Sequence, residues 1–259
     1  MKRSQFLQYL GVGALTTLGS SLLQSQPLAA QSGGVTVKFL GHTCFLFTGG
    51  GQRVLVNPFR QIGCTTGYRA PITQSNFVLI SSRLFDEGYP EQLPGNPRVL
   101  FEAGSYKVDG WRFEGVEVDH DRVGGNRFGF NVVWRWQQGG VNIVHLGGAA
   151  GPITPAEKIP LTRPDLLFVP VGGGPKAYNA SEAMAAVQEL NPKIVIPTHY
   201  RTSAADSQCD LDGREAFVEQ FKARYGSDAV SNRGSDTAAF NAGSFNATTP
   251  QLRTMNYRF

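Results

Sequence analysis

The chain has 259 residues, is 41% hydrophobic and carries a formal charge of +4. That is enough apolar sequence for a full core in one large domain or two small ones. The small charge, with Lys and Arg scattered and no basic run, argues against nucleic acid as a partner, and 31 Gly with 15 Pro argue against a helical bundle.

Residues 1–30 read as a cleavable export signal. Lys2 and Arg3 precede an uncharged stretch from Leu10 to Leu23, and Pro27-Leu-Ala-Ala30 supplies small residues for cleavage. The start resembles a twin-arginine signal with Ser4 in place of the second Arg, so the Sec route competes with it. The expected destination is a periplasm or thylakoid lumen, with no stable membrane span after cleavage.

From Val35 the chain reads as a three-stranded meander: Val35–Leu40, His42–Phe47 and Val54–Val56, the last ending at Asn57-Pro58. Phe77–Ile80 is a continuous apolar run, as in a strand covered on both faces. It opens into Ser81-Ser82-Arg83 and the paired acids Asp86 and Glu87. Pro97–Phe101, Tyr106–Val108, Trp111–Phe113 and Val116–Asp119 read as short strands spaced by Gly, with His120 directly after the last. Phe128–Trp136 and Val141–His145 form a hairpin around Gln137–Gly140, and Asp165–Pro170 is another buried strand. The first strong helix comes late, over Ala183–Leu190, with Asn179 or Ser181 as its cap. Lys193–Pro197 is a strand leading to His199, and Asp212–Arg224 a helix with Phe217, Phe221 and Tyr225 on one face. A single α/β domain is expected over 31–230, followed by an irregular tail over 231–259 that is packed on the domain or loosely ordered.

Cys64 and Cys209 both fall in loop-like sequence, and an oxidising compartment makes a disulfide between them a hypothesis; Cys44 reads as a buried thiol. Three of the four histidines, His120, His145 and His199, end or follow apolar strands. Strand ends converge in α/β folds, so these imidazoles can meet Asp86 and Glu87, a set suited to metal ligation.

Several ordered segments give this pattern a family likeness. They are Phe39-Leu-Gly-His-Thr-Cys-Phe45, Val54-Leu-Val-Asn-Pro-Phe59, His120-Asp121, His145-Leu-Gly-Gly148, Val169-Pro-Val-Gly-Gly173 and Asn191-Pro-Lys-Ile-Val-Ile-Pro-Thr-His-Tyr200. In these the chain resembles the metallo-β-lactamase-fold hydrolases, in the short branch similar to ascorbate-phosphate lactonases. The resemblance implies a four-layered αβ/βα sandwich with a dinuclear metal site at one edge of two sheets. It also implies a signature H-x-H-x-D-H, which here reads Ser82-Arg83-Leu84-Phe85-Asp86-Glu87. Asp86, His120 and His199 match ligand positions. Gly148 stands where the resemblance places a bridging Asp, and Asn57 where it places an Asp before Pro.

With Ser82 and Leu84 in place of imidazoles, a dinuclear centre is not expected. Two readings remain. In the first the protein is a metal-free, non-catalytic relative that binds a small molecule or a protein partner, with Arg83 or Arg201 neutralising the acids and His42, Asn57, Ser82, His145 and Gly148 lining the pocket. In the second, Asp86, Glu87 and His199, with His120, hold one zinc, manganese or iron ion in a hydrolase of esters, lactones or phosphoesters.

Overall fold

A computed structural model of the protein describes residues 33–258; the export signal expected over 1–30 lies outside them. The described chain builds two sheets. The first has six strands in the order β13-β1-β2-β3-β4-β5. They are β1 (Gly34–Gly41), β2 (Cys44–Gly49), β3 (Gln52–Val56), β4 (Phe77–Leu79), β5 (Arg98–Leu100) and β13 (Thr237–Asn241). The second has eight, in the order β12-β14-β11-β10-β9-β8-β7-β6. They are β6 (Gly104–Val108), β7 (Trp111–Asp119), β8 (Phe130–Gln138), β9 (Val141–His145), β10 (Leu166–Pro170), β11 (Ile194–Thr198), β12 (Val230–Asn232) and β14 (Gln251–Thr254). Both sheets are mixed. The meander β1-β2-β3 is antiparallel and β3-β4-β5 parallel, while β6 to β9 run antiparallel and β9-β10-β11-β14-β12 parallel.

The sheets pack face to face through aromatic side chains. Phe45 and Phe47 of β2 meet Phe168 of β10 with ring centroids 4.9 and 5.0 Å apart, and Phe77 of β4 meets Phe113 of β7 at 5.0 Å. Alternation then puts Cys44, Leu46 and Val78 on the outer face of the first sheet. They are also buried, beneath Phe59, Tyr68 and Leu93 of the connecting loops. Coverage on both faces explains why these strands read as continuous apolar runs. The cover is loop on this side. Among the described residues three α-helices, α1 (Pro155–Leu161), α2 (Ala180–Leu190) and α3 (Glu215–Tyr225), lie against the second sheet. Among the described residues no helix is long and apolar enough to cross a membrane.

Three features differ from the sequence expectation. Residues 231–259, expected to be irregular, supply strands to both sheets: β13 pairs with β1, and β14 inserts between β11 and β12. Their Asn, Ser and Gly content hides strands that are short and bounded by turns. Trp111–Phe113 and Val116–Asp119 are one strand, because Gly115 sits mid-strand with no break. A Cβ there would lie 2.8 Å from Val132 Cγ1 and 3.0 Å from the Glu102 carbonyl, so glycine permits close packing where it was read as a spacer. Helix α1 is not among the elements the sequence pattern predicts. It is short and contains Pro160, yet it is started by a Thr154–Glu157 capping box. For α2 the cap is Asn179, whose side chain accepts from the amides of Ser181 and Glu182. Cys64 and Cys209 are joined in a disulfide with Cα atoms 4.6 Å apart, and Cys44 is a buried free thiol.

Candidate metal centre

The polar residues gather where strands of both sheets stop. His42 follows β1 and His199 follows β11, each in the left-handed region, with φ of 55° and 50°. That conformation ends each strand and turns its imidazole aside. The His199 amide donates to the His42 carbonyl at 3.1 Å, joining the two sheets at this edge. The two rings meet edge to face with centroids 4.2 Å apart. His120 follows β7 and is fully buried. From the loop after β4 comes Glu87, also fully buried. Its amide and that of Gly88 both donate to the Leu84 carbonyl, in a turn that aims Glu87 inward.

Ligand atoms of His42, Glu87 and His199 all lie within 4.8 Å of one another. Glu87 Oε1 is 3.5 Å from His120 Nε2 and 3.8 Å from His199 Nε2. Among the described residues, neither ring nitrogen of His42, His120 or His199 has a hydrogen-bond partner, nor does Glu87 Oε2. Buried polar atoms are normally satisfied, so such a cluster needs an explanation. Burial, helped by the neighbouring His199 ring, lowers the pKa of His42 to about 3. His199 is likewise lowered to about 3, chiefly by burial. Both are therefore neutral imidazoles, the form that ligates metals.

One residue at the centre had no signal in the sequence. Lys176, in the Gly-rich loop after β10, reaches in with Nζ 3.0 Å from Glu87 Oε1 and 2.5 Å from Asp86 Oδ2. Its side chain is 16% exposed. Burial opposes its charge, but Glu87 and Asp86 outweigh this and raise its pKa. Burial would raise the Glu87 carboxyl; the Lys176 ammonium overcomes it and holds that carboxyl well below the usual carboxylate range.

Arg83 does not perform the neutralisation expected of it. The turn that points Glu87 inward leaves Arg83 exposed, its guanidinium 5.4 Å from the centre of the Phe101 ring. Arg201 is also exposed; the buried side chain of its neighbour Tyr200 takes the inward direction, hydrogen bonding the Met255 carbonyl. Asp86 faces Lys176 and stands outside the His42–Glu87–His199 cluster. His145 stacks on Phe168 (5.4 Å, 11° between planes), and its Nδ1 accepts from the Gly147 amide at 3.0 Å. Asn57 Oδ1 accepts from the Ser81 amide at 2.8 Å, and Ser82 Oγ from the Leu84 amide at 3.2 Å, so both shape the loop.

Gly148 is where space is tightest. A Cβ there would come within 2.4 Å of His120 Nε2 and 2.6 Å of Glu87 Oε2, so Glu87 and His120 fill the volume a side chain would need. Asn131 fixes this loop, donating to the Leu146 carbonyl and accepting from the Gly148 amide, both at 2.8 Å. Asp121 fixes the neighbouring loop by accepting from the amides of Val123, Gly125, Arg127 and Phe128 at 2.8–2.9 Å. Burial opposes its ionisation, but these four bonds prevail and lower its pKa to about 2.

Two imidazoles and a carboxylate, neutral or ionised as ligation requires, fit one divalent ion; zinc, iron and manganese all accept such a set. The residues do not fit two ions in the usual way, because Ser82, Leu84 and Gly148 offer no imidazole or carboxylate.

The sequence profile of the beta-lactamase superfamily domain matches residues 36–199. A UPF0173 metal-dependent hydrolase of Methanoregula boonei is 28% identical over 206 residues, covering 70% of this chain and 89% of the relative. One from Thermus thermophilus is 26% identical over 217 residues, covering 72% and 91%. Among solved structures, one named as a Zn-dependent hydrolase of the metallo-β-lactamase superfamily from Thermotoga maritima superposes with a TM-score of 0.67. It is 25% identical and covers 86% of this chain and 100% of its own. An isothiocyanate hydrolase from Delia radicum gut bacteria, at 13% identity and TM-score 0.61, shares the fold. With the two packed sheets, the strand-end histidines and this profile in agreement, the chain belongs to the β-lactamase superfamily and has its metallo-β-lactamase fold.

Proposed function

We propose that the protein is a hydrolase dependent on one divalent metal ion, held by His42, Glu87 and His199, and acting on an ester, lactone or phosphoester. The observation that carries this reading is the buried cluster of three ligand atoms within 4.8 Å, with imidazole nitrogens that have no other partner. Relatives named as metal-dependent hydrolases support it over the non-catalytic reading. Bound to His42, Glu87 and His199, a divalent ion would supply Lewis-acid polarisation of a carbonyl or phosphoryl oxygen of the substrate. The chain's own contribution is to keep both imidazoles neutral and dry, and to hold Glu87 in place through the turn at Leu84. Asn131 and Asp121 brace the loops on either side of His120.

The purified protein, reconstituted separately with zinc, manganese and iron, should retain about one ion per chain by elemental analysis after dialysis. Hydrolysis of a panel of esters, lactones and phosphoesters should depend on it. His42→Ala and His199→Ala should each lose both the ion and the activity. Failure of the wild type to retain any of the three metals would sink the reading. We also propose export to an oxidising compartment; the Cys64–Cys209 disulfide supports it. Fractionation of the native cells tests this, and recovery of the protein in the cytosol with both thiols reduced would overturn it.

A further inference from the structure

The Lys176 ammonium stands in an unusual place. Two carboxylates from adjacent residues, Asp86 and Glu87, converge on its single Nζ at 2.5 and 3.0 Å. The oxygen of Glu87 that it touches is the same Oε1 that lies within 4 Å of His120 Nε2 and His199 Nε2. The surroundings are buried, and the imidazole nitrogens and Glu87 Oε2 have no hydrogen-bond partner. Asp86 and Glu87 without Lys176 would be two adjacent acids, one of them fully buried, beside imidazole nitrogens with no hydrogen-bond partner among the described residues, which is an arrangement that takes up a cation. The chain supplies that cation itself, from a loop some ninety residues away in sequence.

We propose that Lys176 is a tethered cation that occupies a second cation position in this centre, between Asp86 and Glu87 and distinct from the usual one that Ser82, Leu84 and Gly148 leave without ligands, and so limits the protein to one metal ion. Glu87 then serves two cations, with Oε1 on the ammonium and an unpartnered Oε2 left over. This deepens the single-metal reading and rests on it for the identity of the first site, but its test separates the two. Lys176 is a positioning residue here: it neutralises the acids and sets how many ions the site takes.

The test compares full-length wild type, Lys176→Arg and Lys176→Met. The probes are zinc and manganese, followed by elemental analysis, titration calorimetry and the shift in melting temperature. The expected result is one ion per chain for wild type and Lys176→Arg, and two for Lys176→Met. Metal should raise the melting temperature of Lys176→Met by more than it raises that of wild type, because the metal replaces a missing internal cation. Lys176→Met binding one ion with unchanged affinity would overturn the proposal and leave the single-metal reading standing. No ion in wild type but one in Lys176→Met would support the tethered cation and defeat that reading. No ion in either would defeat both. Should Lys176→Met fold only when metal is added, the proposal gains; if metal fails to restore it while Lys176→Arg folds, the ammonium is a structural support only and the proposal falls.

Discussion

The two sheets contribute to the centre in different ways. The second sheet ends in imidazoles at or just past strand ends: His145 closes β9, His120 directly follows β7 and His199 directly follows β11. Each is fully buried in the frame of the sheet. The first sheet contributes one buried imidazole, His42, directly after β1, and the acids Glu87 and Asp86 through a loop, eight and seven residues past the end of β4, where they are held by charge through Lys176. The imidazoles are kept by packing and the acids by an ion-pair network. Changes on the network side should therefore cost more when they leave a charge unpaired than when they alter volume, and changes on the sheet side should follow packing and proton uptake.

The largest expected effect comes from breaking the network. Glu87→Ala removes the buried carboxylate that Lys176 and His120 face, leaving the ammonium with Asp86 alone. Removing one partner of a buried ion pair costs about 3–5 kcal/mol. Urea denaturation should show a loss toward the lower end of that range, because Asp86 and Lys176 retain some exposure to solvent. A loss below 1 kcal/mol would mean that the ammonium simply moves out to water and that the network does not hold the loop.

Where the two sides touch, at Gly148, volume decides. Gly148→Ala puts a methyl group 2.4 Å from His120 Nε2 and 2.6 Å from Glu87 Oε2, so these two buried side chains must shift to admit it. Overpacking of this kind costs about 1–3 kcal/mol. The variant should melt lower and bind metal more weakly than wild type, since Glu87 must shift. Unchanged stability and metal content would show that the loop fixed by Asn131 can move after all.

This division also explains what the sequence disclosed. The meander, the hairpin at Gln137–Gly140 and the strand-end histidines were legible because alternation, turn residues and apolar runs are local signals. Asp86 and Glu87 stood out as a pair for the same reason. Lys176 did not, because its role depends on a loop after β10 folding back onto the loop after β4, and nothing in Gly-Gly-Gly-Pro-Lys marks that approach. Arg83 was the natural choice for the counter-charge because it is close in sequence, but a turn reverses its direction. His42 gave only a weak signal: it directly follows Gly41, and its left-handed backbone turns its ring against that of His199. The strands after residue 230 were hidden by their turn-rich composition, since only pairing with β1, β11 and β12 defines them.

The effect that is smallest at neutral pH is also the cleanest probe of the sheet side, because it involves a histidine outside the ligand cluster. His145 is buried against Phe168, and that burial lowers its pKa from 6.5 to about 3. In the unfolded chain it takes up a proton below pH 6.5; in the folded chain it stays neutral down to about pH 3. The unfolded state therefore binds more protons across that interval, and the contribution of His145 to stability, complete above pH 6.5, is lost as the pH falls toward 3. One such group gives a slope of at most about 1.4 kcal/mol per pH unit. Urea denaturation of the chelator-treated protein between pH 7.5 and 4.5 should show wild type losing stability faster than His145→Gln, by close to that slope below pH 6. The glutamine keeps an acceptor for the Gly147 amide but has no proton to gain, so the difference between the two curves isolates the imidazole. Parallel curves would mean that His145 is protonated in place without loss, and that the strand end yields to charge as readily as the loop across from it.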